Sequence, residues 1–154
     1  MPGNLGDGGV FHTSNKSAEW NIFVDPLAAR IVFRSGIKIR LIPLDATATV
    51  PINMEFLRDF ETHVRTPLGR FAAQVLQSDH EAIEQGIFYA WDPLAAVAMF
   101  HPGLVKLEPL HIEIRQDPPE EGRTLATPGN PNARVALQAD GAEFRRLFLS
   151  AFER

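Results

Sequence analysis

The 154-residue chain contains no cysteine. That excludes disulfide cross-links, thiolate nucleophiles and zinc–thiolate sites, and it is compatible with the reducing cytosol. No apolar run approaches the roughly 18 residues of a membrane span. The start, Met1 to Gly9, holds four glycines and nothing resembling a signal peptide. These absences lead us to expect a cytoplasmic protein that does not engage membranes. Basic residues number 15 against 19 acidic ones, for a net charge of −4. They nowhere form a cluster, which argues against nucleic acid or an anionic membrane surface as partner. The glycine-rich start lacks the Gly-Lys-Ser/Thr ending of a phosphate cradle. The five histidines show no metal-ligand spacing, and no Gly-x-Ser-x-Gly or Ser-x-x-Lys nucleophile motif occurs.

What is present is an ordinary globular composition, 45% hydrophobic and 22% charged. A chain of this length suits one domain with a real core, or a piece of a larger one. Its organising stretch is Phe88 to Phe100, in which Asp92-Pro93 opens a run of small and apolar residues. The pattern predicts a helix from Pro93 that buries itself, with Asp92 as N-cap. Trp91, just outside that cap, offers a flat apolar face to a ring, which would suit a ligand at the mouth of an α/β sheet. Read alone, the same residues describe an N-cap beside a core aromatic. The chain contains a control: Asp25-Pro26-Leu27-Ala28-Ala29 repeats Asp92 to Ala96 without the tryptophan. We read the repeat as one capping solution used twice, not as a duplicated domain.

Taken in order, Thr13 to Asn21 concentrates short polar side chains in a loop. There Glu19 and Asn21 could hydrogen-bond a polyhydroxylated ligand or simply cap the loop. Pro26 to Ser35 is an amphipathic helix closed by Gly36. Ile37 to Leu44 follows as a strand whose apolar end suits a parallel, two-sided core, and Asp45 to Thr49 lies past its carboxyl end, where α/β folds place ligands. Asn53 to Gln77 has helical period and divides near Thr66-Pro67. Ser78 to Glu81 matches a capping box for a short helix that Gly86 ends. His101-Pro102-Gly103 stops the Pro93 helix. Leu110 to Arg115 and Arg134 to Gln138 read as strands, and Gln116 to Asn132 as a proline-rich loop. Ala142 to Phe152 forms a terminal helix with Phe144, Leu147, Phe148 and Phe152 inward.

One ordered set of motifs runs through essentially the whole chain: Pro2 to Gly9, Ala18-Glu-Trp-Asn-Ile-Phe-Val-Asp-Pro-Leu-Ala-Ala29, Leu41-Ile-Pro-Leu-Asp45, Tyr89-Ala-Trp-Asp-Pro-Leu-Ala-Ala96 and Glu121-Gly-Arg-Thr124. This set resembles the inosine/uridine-preferring nucleoside hydrolase family. The resemblance implies an α/β fold, here a partial open mixed sheet flanked by helices. It also implies cleavage of a nucleoside to ribose and free base, with a calcium ion holding the attacking water and the ribose 2′ and 3′ hydroxyls. Carried over by motif, Asn4 would contact the ribose 5′ side, Glu19 and Asn21 would bind ribose hydroxyls, and Asp92 would be a calcium ligand. Trp91 resembles the purine-preferring branch, where that indole stacks on the base. Relatives of this branch often carry a tyrosine where this chain has Phe88.

The family's N-terminal Asp-x-Asp-x-x-x-Asp-Asp segment, source of most calcium ligands and of the general base, has no counterpart here. Calcium takes about six to eight oxygens, more than Asp92 and its neighbours provide. We therefore read residues 1–154 as a single C-terminal nucleoside-hydrolase-like domain with an incomplete calcium site and no catalytic base of its own. It is expected to be inactive alone, and to act on purine nucleosides when an N-terminal half completes it. The competing reading is a catalytically inactive remnant that binds nucleosides weakly or self-associates; a generic α/β interaction domain remains if the resemblance is coincidental. Bare sheet edges and apolar helix faces lead us to expect self-association or pairing with an N-terminal half.

Overall fold

The computed structural model describes residues 15–153. Helices α1 (Trp20–Val24) and α2 (Pro26–Arg34) precede strand β1 (Arg40–Leu41). A helical region follows: α3 (Leu44–Thr47), α4 (Met54–His63), α5 (Pro67–Ser78), α6 (His80–Glu84) and α7 (Trp91–Phe100). The chain ends with β2 (Val105–Ile114), β3 (Thr124–Thr127), β4 (Ala133–Ala139) and α8 (Gly141–Ser150). The strands form an open sheet in the order β1-β4-β2-β3. It is mixed, as expected, since β1 runs parallel to β4 while β2 and β3 are antiparallel. Among the described residues no helix is long and apolar enough to cross a membrane. The chain falls into two compact units, Met1–Asp45 with Lys106–Leu137, and Ala46–Val105 with Gln138–Arg154.

The first unit is built on the sheet. Phe33 of α2 closes over Ile112, Ile114, Ala133 and Val135, with Ile39, Leu41 and Leu110 around them. Asn132 sets this register: its side chain accepts from Ile112 N at 2.7 Å and donates to Ile112 O and Phe33 O. The α2 boundaries follow the sequence closely, because Asp25 caps Ala28 N at 2.8 Å and Gly36 takes φ +78 after the last turn. Leu27 and Ile31 of α2 are nonetheless about 60% exposed.

The second unit is helical, with α4 touching α5 and α8, and α7 touching α8. Its core is aromatic. Phe56, Phe60, Phe144, Phe148 and Phe152 form one cluster of rings with centroids 5.1–6.4 Å apart. Thr66 caps α5 and Pro67 opens it, as the sequence indicates.

Several expectations need correction. The Ile37–Leu44 strand shrinks to Arg40–Leu41. The Asp45–Thr49 segment enters α3, and the Gln116–Asn132 loop contains β3. The Ser78 capping box does not form, because the Ser78 hydroxyl bonds back to Val75 O within α5. The α7 helix does not bury itself on all sides: Leu94 is 0% exposed, whereas Met99 is 64% exposed. Replacing Leu94 by Ala should therefore cost about 2–5 kcal/mol in urea unfolding, while Met99→Ala should stay within about 0.5 kcal/mol of wild type.

Candidate nucleoside site

In the first unit, Glu19 is not on a free loop but is the N-cap of α1. Its Oε1 accepts from Asn21 N and from Asn21 Nδ2, both at 3.0 Å, and its Oε2 from Ile22 N at 3.3 Å. The Asn21 amide is thereby oriented, with its carbonyl oxygen left as an acceptor. A carboxylate still has lone pairs after these bonds, so the pair presents prepositioned acceptors of the kind hydroxyl groups seek.

What holds Glu19 in place is Asn15, a residue the sequence reading did not single out. It is buried at 3% exposure. Its Oδ1 accepts from Ser17 N, Ser17 Oγ and Ala18 N at 3.0–3.3 Å, folding the turn that leads into Glu19. Its Nδ2 donates to Glu121 O at 2.8 Å. The Ala18–Ala29 and Glu121–Thr124 motifs are thus physically joined. Gly122 tightens the join: it sits at φ +81, and a Cβ there would lie 2.6 Å from Phe23 Cα. Glycine is required both for the backbone conformation and for the approach. Glu121 Oε2 is buried and takes no hydrogen bond among the described residues.

In the second unit, residues 88–91 are pinned by their backbone. Phe88 O accepts from Ile52 N at 2.9 Å, Ala90 N donates to Val50 O at 3.0 Å, and Tyr89 bridges Pro51. The helix that follows begins earlier than expected: Leu94 N bonds Ala90 O, making Ala90 the N-cap. Asp92 therefore lies inside the first turn, exposed, and caps nothing. This corrects the capping role assigned to it. Pro93 is tolerated because first-turn N–H groups have no intrahelical partner. Trp91 is 39% exposed. Its ring lies 5.0 Å from Phe88 at 61° and 6.1 Å from Tyr89 at 58°.

The structure thus brings Glu19 to Asn21 in one unit and sets Trp91 beside Asp92 in the other, while Asn4 lies outside the described residues. Among the described residues no three His, Cys, Asp or Glu side chains converge as a metal cluster. Asp92 alone falls far short of the oxygens calcium requires, so the described residues do not by themselves fit that ion.

The fold has counterparts among solved structures. A solved purine-preferring ribonucleoside hydrolase from Gardnerella vaginalis superimposes with a TM-score of 0.76 at 26% identity, over 99% of this chain and 50% of that one. The mixed α/β architecture is that of nucleoside hydrolases. The family model for inosine-uridine preferring nucleoside hydrolase matches residues 1–146, and the chain belongs to that family. The inosine-uridine preferring nucleoside hydrolase of Leishmania major is 27% identical over 161 residues, covering 96% of this chain and 50% of its own length. Nucleoside hydrolase 3 of Arabidopsis thaliana is 51% identical over 61 residues, 40% of this chain and 7% of its own. The chain spans about half the length of the Leishmania and Gardnerella proteins.

Replacing Asn15 by Ala would strand the buried Ala18 N–H, the part-buried Ser17 N–H and the part-buried Glu121 carbonyl. Denaturant titration should show a loss of about 2–3 kcal/mol. Asn15→Asp, which keeps the acceptor and loses the donor, should fall between that variant and wild type.

Proposed function

We propose that this chain carries the ribose- and base-binding half of a purine-preferring nucleoside hydrolase, a cytoplasmic enzyme that cleaves purine nucleosides to ribose and free base. The observation that carries the reading is the contrast between two identical pentapeptides. Asp25 spends its carboxylate on Ala28 N, whereas Asp92 leaves its own uncommitted beside an exposed indole. A side chain withheld from its ordinary local use is available to a ligand.

In this reading Glu19 and Asn21 accept hydrogen bonds from ribose hydroxyls and fix the sugar. Asn4 lies toward the 5′ side, and Trp91 stacks on the purine. An uncharged nucleoside suits a chain with no basic cluster. Asp92 is this chain's contribution to a calcium site whose other ligands, with the general base, belong to an N-terminal Asp-rich half. Inverting hydrolysis by water needs such a base on the face opposite the leaving group. Exposed apolar stripes at Trp20, Val24, Leu27 and Ile31 in the first unit, and at Leu68, Phe71 and Val75 on α5, support pairing with that half or self-association. The second reading, a catalytically inactive nucleoside-binding remnant, draws on the lack of a metal cluster among the described residues.

Ribose release from inosine and uridine, with calcium, decides between them. The folded chain alone should release none. Supplying the Asp-rich half of a relative should restore release, and Asp92→Ala should abolish it again. A complemented sample that stays inactive favours the remnant. Asp92-dependent release by the isolated chain would overturn the incomplete-site reading and point to a base within it, Asp7 or Asp45 being the first to replace. Trp91→Ala should weaken inosine binding about 5- to 150-fold, the range of a lost base–aromatic stack. On a sizing column with light scattering, the chain should run larger than one copy.

A further inference from the structure

The indole of Trp91 cannot act as a platform unless something fixes its plane. An exposed tryptophan on a first helical turn has two rotatable side-chain bonds, and an ordered platform costs less on binding than one that must be immobilised. In this chain the fixing group is Phe88. Phe88 packs at 61° to the indole with centroids 5.0 Å apart, the edge-to-face arrangement that aromatic quadrupoles favour. Phe88 is itself held, since its carbonyl accepts from Ile52 N, and Ile52 is buried at 3% exposure. The adjoining Ala90 is anchored to buried Val50 in the same way. A backbone clamp thus carries an aromatic ring against the side chain assigned to the base, while Trp91 as a residue stays exposed.

We propose that Phe88 is a specificity-determining positioning residue: it sets the orientation of the Trp91 indole so that its open surface accepts the fused rings of a purine in preference to a single pyrimidine ring. The proposal rests on Trp91 being the base platform and goes beyond it by assigning the preference to the Phe88–Trp91 pair. A stack gains with overlapping ring area, so a fixed indole rewards the bicyclic base more than the monocyclic one. A freely rotating indole loses most of that difference.

The chain has two tryptophans, so Trp20→Phe leaves Trp91 as the sole indole reporter. In that background we would measure acrylamide quenching of Trp91, and fluorescence titrations with inosine and with uridine, for Phe88, Phe88→Ala, Phe88→Leu and Phe88→Tyr. Circular dichroism confirms that each variant is folded. Phe88→Ala and Phe88→Leu should both make Trp91 more quenchable and weaken inosine binding about fivefold, as loss of an aromatic pair does, with uridine little changed. Phe88→Tyr should restore both readouts. If Phe88→Leu behaves as wild type, apolar filling suffices and the orienting role is overturned. If inosine binding is intact in Phe88→Ala, the proposal fails while Trp91 remains the platform. If the Phe88 protein responds to neither nucleoside, the platform reading and the proposal fall together, an outcome distinguishable from the others by the reference sample alone.

Discussion

The N–H groups of a helix's first turn have no partner within the helix, and this obligation organises much of the molecule. The helices α1, α2, α4, α5 and α8 meet it with a side chain one residue ahead: Glu19, Asp25, Asn53, Thr66 and Asp140. In α7 the preceding residue is Ala90, which has no side-chain acceptor to give. The cause is the backbone clamp on residues 88–90, which fixes where the chain turns into the helix before the aspartate arrives. Asp92 then contributes a favourable charge near the helix's positive end without being consumed by a cap. The same obligation has the opposite result at Glu19, where meeting it orders Asn21.

The two candidate clusters share a logic. In each, a chemically useful side chain sits at the start of a helix, and the segment before it is fastened to a distant part of the chain. For Glu19 the fastening is Asn15 with Glu121, and for Trp91 it is residues 50–52. A platform or acceptor held this way loses little freedom when a ligand arrives. Both fastenings are made by backbone groups and an amide side chain, and so neither would be found by looking for reactive residue types.

Local pattern made some elements legible and not others. The α2 and α5 starts were readable because Asp25-Pro26 and Thr66-Pro67 are strong local signals. The terminal helix was readable from the spacing of Phe144, Phe148 and Phe152. Strand β3 was hidden because Thr124-Leu-Ala-Thr127 is short, lies among turn residues, and owes its extension to antiparallel pairing with His111 to Ile114. Helix α1 was hidden because glutamate is not among the favoured N-caps. Asp92 misled for a related reason: its pentapeptide is identical to that at Asp25, and only the nonlocal pairing of residues 88–90 distinguishes them. The motif residues Glu19, Asn21, Trp91 and Asp92 could be named from sequence, but Asn15 could not, since its importance lies in a bond to a carbonyl 106 positions away.

The contact of Gly122 on Phe23 has a consequence for how the protein is made. The unit holding Glu19 is discontinuous, its first part ending at Asp45 and its second beginning at Lys106. On the ribosome, which adds about 5–20 residues per second, the α1 segment waits on the order of ten seconds for its glycine partner to be synthesised. Meanwhile Ile22, Ala29 and Phe33, which pack against Ile112, Ile114, Ala133 and Val135 in the folded chain, have no native surface to close upon. Domains generally mature from the amino terminus onward during synthesis, but this unit is assembled late, from the two ends of a long detour. The newborn chain is therefore most dependent on protection from premature association during the interval in which its helical middle is already emerging.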